Sequence, residues 1–260
     1  MVKVGPYDFA PERAFWRVPG FVFLVWTIVG AVVMAFGVQE SSIENAALPD
    51  WLTAAAIHIL RLSDALWICL AALLVTGHEM ARRGAGVTIG AFALIALISG
   101  LAEWVGATTG LLFGNYEYTT RFGLLIGGVL PFTIPLAWVI VLTGAARLPL
   151  IERIPSLPLR CLAIAAVATL TDFNLEPVAI HVREYWVWAG AAGESLDWAP
   201  LSNYVTWFVL SAVLALPLAV RSRAASPSSE LPRLAHPAVV LLLMNGLFLA
   251  ANFGLWLRLP

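Results

Sequence analysis

The chain has 260 residues, of which 60% are hydrophobic and 12% charged, with a formal net charge of −1. Charge is about half of what soluble domains carry and apolar runs of about 20 residues recur, which excludes a soluble globular domain. The near-neutral balance offers nothing to a nucleic acid, and Cys69 and Cys161 both sit within apolar runs, as packing residues rather than a disulfide.

A mixed-charge amino end (Lys3, Arg13, Arg17) leads into the first apolar run, about residues 18–38. This run is too long for the core of a cleaved signal, and no small-x-small site follows it. Further runs cover about 54–77, 87–105, 123–146, 159–182, 204–220 and 238–257. The pattern predicts an all-α polytopic membrane helical bundle of about seven transmembrane helices, forming a single integral membrane domain over residues 1–260. In the fourth run, Gly127-Gly128 followed by Pro131 and Pro135 predicts a kinked or broken helix, and broken helices in membranes line cavities. No internal repeat is visible. The Ser- and Pro-rich stretch 221–237 reads as a loop.

Basic residues set the expected orientation. They gather at the amino end and after the second, fourth and sixth runs, as Arg82, Arg83, Arg147, Arg153, Arg160, Arg221, Arg223 and Arg233. The alternate connections hold only Arg121 and Arg183, with Arg258 at the carboxyl end, and are rich in Asp and Glu. An amino terminus inside and a carboxyl terminus outside follow, with the inner (plasma) membrane as the expected location.

That orientation places the intramembrane polar residues at one level. Asp64 and Arg61 fall in the outer half of the second helix, Glu103 near the outer end of the third, and Asp172 and Glu176 in the outer half of the fifth. Asn203 opens the sixth helix on the same side. Asp172 and Glu176 are four apart and share a helix face, whereas Asn174 lies about 200° round from Asp172. A carboxylate within a bilayer costs several kcal/mol, so a pair there points to a functional site. Arg61 and Asp64, three apart, also read as a structural ion pair. Glu103 also reads as an interfacial residue, His58 and His181 as interfacial histidines, and the tryptophans mostly as belt residues. The spacings Gly106, Gly110, Gly114 and Gly123, Gly127 read as close-packing or turn sites.

Several chemistries lack their residues. The single lysine, Lys3, stands outside the bundle, so no retinal Schiff base forms there. Four scattered histidines do not make a di-iron site, and no Asp-rich motif for magnesium diphosphate or Gly-rich phosphate loop appears. The expectation is acid–base chemistry without metal or cofactor, or a transport or binding role.

Four segments together carry a resemblance to a known family. They are Glu103 with Gly106-Ala107-Thr108-Thr109-Gly110-Leu111-Leu112-Phe113-Gly114-Asn115-Tyr116-Glu117-Tyr118-Thr119; Pro131-Phe132-Thr133-Ile134-Pro135-Leu136-Ala137-Trp138; Thr171 to Pro177; and Pro200-Leu201-Ser202-Asn203 with Trp207. In this order they resemble the carotenoid 1',2'-hydratase family of the CruF type, integral membrane proteins of carotenoid biosynthesis. The chain departs from the family pattern at Leu112 (Pro), Glu176 (Asp) and Thr206 (Gly).

The resemblance implies hydration of the terminal double bond of an acyclic (ψ) carotenoid end group, in an acyclic or monocyclic substrate such as lycopene or γ-carotene. Such a reaction needs a proton delivered to C2', a transient tertiary cation at C1' and a positioned water. Low dielectric and a second nearby carboxylate both favour the protonated form of an acid. Asp172 is therefore assigned as proton donor and Glu176 as the group that orients or deprotonates water. Asp64 and Glu103 complete the polar cluster, and the roles permute among the four. Tyr116, Tyr118, Trp138 and Trp207 are candidate aromatic faces for the cation, while also reading as packing residues. Asn174, Asn203 and Arg61 are further candidate substrate contacts. Expected partners are the carotenoid in the bilayer, lipids and other carotenoid enzymes. A lycopene-cyclase-like enzyme and a non-enzymatic carotenoid-binding or transport protein are the alternatives.

Overall fold

The computed structural model describes residues 10–190, 192–220 and 233–258, with side chains from residue 16. Lys3, the side chain of Arg13, Arg221, Arg223 and most of the Ser- and Pro-rich connection lie outside the described residues. Helix α1 (Ala10–Ala35) is followed by the short α2 (Glu40–Glu44) and by α3 (Asp50–Arg83). With 34 residues, α3 is about 51 Å long, so it outruns a bilayer core of about 30 Å. Gly84, at φ +85°, turns the chain directly into α4 (Ala85–Thr109), a conformation that a side chain would strain.

The α4–α5 connection holds β1 (Asn115–Tyr118), β2 (Leu125–Ile126) and β3 (Leu130–Pro131) before α5 (Thr133–Ala146). The expected fourth span, 123–146, is thus helical only over its second half. Gly127 and Gly128, both at positive φ, close a tight β2–β3 hairpin, and Pro131 ends the pairing. After α6 (Pro149–Glu152), α7 (Leu157–Pro177) runs into a π-helical turn, Val178–Val182. Next come β4 (Trp186–Ala189), β5 (Ser195–Leu196), α8 (Leu201–Leu214), α9 (Leu216–Ala219) and α10 (Pro237–Arg258). Pro217 sits at the start of α9, so the sixth apolar run also breaks.

Among the described residues, five helices are long and apolar enough to cross a membrane: α1, α3, α4, α7 with its π-turn, and α10. Helices α5 and α8 are apolar but have only 14 residues each. The architecture is that of an all-α polytopic membrane protein with small sheets in its connections. Helix α5 is buried along nearly its whole length and packs against α3, α4, α7 and α10. At its carboxyl end, Arg147 donates to both oxygens of the fully buried Glu79, at 2.7 and 2.6 Å. Cys69 and Cys161 are both free.

The belt reading of the tryptophans holds only in part. Trp51, Trp198 and Trp256 are exposed, but Trp67, Trp138, Trp186, Trp188 and Trp207 are buried.

Candidate active site

A cavity of about 500 Å³ opens among α1, α3, α4, α5, α7, α8, α10 and the sheet, and Asp64, Glu103, Asp172 and Glu176 all line it. All four are buried. Helix α7 places Asp172 and Glu176 one turn apart on its inner face, as the four-residue spacing requires. Elsewhere the wall is mostly apolar, with Val33, Ile68, Met244, Leu247 and Phe248 from α1, α3 and α10.

The three-stranded sheet, ordered β1-β4-β5, covers the carboxylate end. Its first two strands are antiparallel, with Tyr116 opposite Trp188 and Tyr118 opposite Trp186. Strand alternation turns these four rings to one face. The rings lie close, with centroids 4.9 Å apart for Tyr116 and Trp188 and 5.2 Å for Tyr116 and Tyr118. The sheet thus aims a row of O–H and N–H groups at the acids below.

Each acid has a different set of donors. Glu103 accepts from the phenols of Tyr116 and Tyr118 at 2.7 and 2.8 Å and from Trp138 Nε1 at 2.9 Å. Burial, and the adjacent Glu103, hold both phenols above their ordinary pKa, so they remain donors. Glu176 accepts from Trp186 and Trp188 Nε1 at 3.2 and 3.0 Å. Asn203 bridges the α7 pair, its Nδ2 donating to Asp172 at 2.7 Å and to Glu176 at 3.3 Å. Among the described residues Asn203 is the one donor that reaches Asp172. Three donors thus reach Glu103 and three reach Glu176, against a single one on Asp172.

Asp64 is held differently. Arg183 Nε donates to its Oδ2 at 2.7 Å, the same guanidinium adds a second bond, and Tyr185 donates at 2.8 Å. The ion pair offered for Asp64 with Arg61 is not formed. Arg61 instead grips Glu40, with Nε at 2.8 Å from its carboxylate, and lies outside the main cavity lining. The expected substrate contact thus reaches towards α2, where Glu40 also meets Arg121 at 3.8 Å. Asn174, another expected contact, also lies outside the main cavity lining. It faces α10, donating to Asn245 and accepting from Asn252, because its position on α7 is on the far side from Asp172. Tyr116, Tyr118, Trp138, Asn203 and Trp207 all line the cavity. Trp138 and Trp207 stack at 3.8 Å with planes 6° apart.

Arg183, Tyr185, Trp186 and Trp188 are the site residues that the sequence reading missed. The alternation of Tyr116-x-Tyr118 and Trp186-x-Trp188 was their available signal. The two departures at Leu112 and Thr206 meet in space: the Thr206 hydroxyl donates to the Leu112 carbonyl at 2.6 Å. Leu112 has φ +71°, a conformation closed to proline.

Residues 63–260 match the family model described as "Carotenoid biosynthesis protein". Among curated proteins, the chain is 25% identical over 199 residues to bisanhydrobacterioruberin hydratase of Haloarcula japonica, covering 75% of this chain and 62% of that one. The chain therefore spans less than two thirds of the length of this relative. No solved structure matches it.

Proposed function

This chain belongs to the carotenoid biosynthesis protein family, and from that premise we propose that it is a carotenoid 1',2'-hydratase working by acid–base chemistry alone. The substrate is the ψ end group of an acyclic or monocyclic carotenoid lying in the inner membrane. The observation that carries the reading is the Asp172–Asn203–Glu176 constellation in an otherwise apolar, aromatic-roofed cavity. The hydratase name of the distant relative points the same way.

Asp172, with the fewest donors, holds the proton and delivers it to C2' of the terminal alkene. The electron pair of the double bond forms the new C–H bond, leaving a tertiary cation at C1'. Aromatic ring faces and carboxylates stabilise it: Trp138, Trp207 and Tyr116 line the same cavity as Glu103 and Glu176. Water attacks C1' through its oxygen and releases a proton to Glu176, and the proton returns to Asp172 across the Asn203-bridged pair. Glu103, fixed by three donors, faces the developing charge. Asp64, paired with Arg183, forms the wall of the site and is not its acid.

The test is expression in a lycopene-producing host, followed by chromatography and mass analysis of the pigments. A product one water heavier per end group is expected. Cyclic products would support a cyclase instead, and unaltered pigment would support binding or transport.

A further inference from the structure

Hydration consumes water, yet the cavity wall is mostly apolar, so water must reach C1' by a defined route. Beside the main cavity lies a second chamber of about 20 Å³, walled by Gln39, Glu40, Arg61 and Arg121. Leu60, Asp64 and Arg183 line both spaces. A water needs about 10–15 Å³ of such volume and two to four polar partners. The chamber therefore has room for one molecule, not a chain of them.

Its charges face the polar phase. Glu40 stands on the short α2, and Arg121 lies in the β1–β2 connection, 3.8 Å from Glu40. The Arg61 and Arg121 side chains are 51% and 36% exposed. The Arg61 guanidinium, by its hydrogen bond, holds the Glu40 carboxyl below the usual carboxylate range, so the chamber mouth stays ionised and hydrated. Three such charges from separate segments would not converge within hydrocarbon. On the inner side stands the buried Asp64–Arg183 pair. A buried ion pair is seldom kept for stability alone, and its position between the two spaces gives it another use.

The geometry points to this chamber as the binding site of the reacting water. Water enters between Glu40, Arg61 and Arg121, is held singly, and passes the Asp64–Arg183 pair into the main cavity. This assignment rests on the hydration reading above. Single-file supply also fits the chemistry, since bulk water around the acids would level their difference and quench the cation unselectively.

Two experiments on the full chain in lipid nanodiscs test it. The first is radiolytic hydroxyl-radical footprinting in heavy-oxygen water. Val182 lines the chamber although it is only 3% exposed. It should be oxidised with heavy oxygen, while Ile164, buried at 0% away from the chamber, should not. Val182 as silent as Ile164 would overturn the site. The second is Gln39→Trp, which fills the chamber from a residue that does not line the main cavity. Hydration should fall by an order of magnitude or more and Val182 oxidation should disappear, while bound carotenoid keeps its absorption spectrum. Leu62→Trp, on the exposed face of α3, should change neither. Wild-type turnover in Gln39→Trp would overturn the route. A wild-type protein that never hydrates carotenoid would instead sink the hydration reading, with the footprint still reporting on the chamber.

Discussion

Replacing Asn203 with Leu keeps the volume of the side chain and removes its amide. Asn203 is 2% exposed and, among the described residues, gives Asp172 its one hydrogen bond, at 2.7 Å, with a second, longer contact to Glu176 at 3.3 Å. A hydrogen bond to a charged partner contributes about 1.5–3 kcal/mol. The pair holds one negative charge in the proposed resting state, and the added Leu methyl groups recover part of the loss, which leaves a net cost of about 2 kcal/mol. For a chain of this size that lowers Tm by about 4–8 °C. The effect on chemistry should be larger, because Asp172 and Glu176 lose the group that fixes their relative orientation. A misplacement of about 1 Å costs about 100-fold in kcat, with KM little changed since the polyene rests on apolar walls. Thermal unfolding in detergent, together with single-turnover hydration in nanodiscs, separates the two effects. A lowered Tm with wild-type kcat would show that Asn203 is only structural. Wild-type values of both would refute the bridge itself.

Glu79→Gln should leave Arg147, 4% exposed, with Glu152 at 3.7 Å as its remaining anion, costing about 3 kcal/mol; an unchanged Tm would contradict this. Leu112→Pro restores the family residue, yet φ +71° is out of reach for proline, so it should destabilise by about 1 kcal/mol or more, and a raised Tm would contradict this. For orientation, in a background with Cys69 and Cys161 changed to Ala, Glu117→Cys should react with an impermeant thiol reagent on intact spheroplasts, and Arg153→Cys only after permeabilisation. The reverse pattern would invert the expected topology.

The helical frame was legible because apolar runs and proline positions are local signals. The α7 acids were legible for the same reason, since a four-residue spacing on a helix decides which side chains share a face. What lay outside local reach went wrong. Asp64 finds its cation 119 residues away at Arg183, while Arg61, three residues before it, turns to Glu40. Trp186 and Trp188 sit on a four-residue strand, too short for alternation to stand out against the habit of tryptophan at membrane surfaces. The angular argument for Asn174 did predict a different face, and the side chain is there, hydrogen-bonded to α10. The shortness of α5 is readable in retrospect from Gly127-Gly128 and Pro131, which favour a hairpin over a helix.

The most direct measurement is hydration in deuterated water by wild-type protein, Asp172→Asn and Glu176→Gln, with carotenoid binding followed by absorption. Wild type should add one deuterium at C2' and one hydroxyl at C1' per end group. Asp172→Asn should bind pigment but add neither. Glu176→Gln should likewise bind without forming the alcohol. Asp172→Asn turning over near the wild-type rate, with deuterium still delivered to C2', would contradict the account.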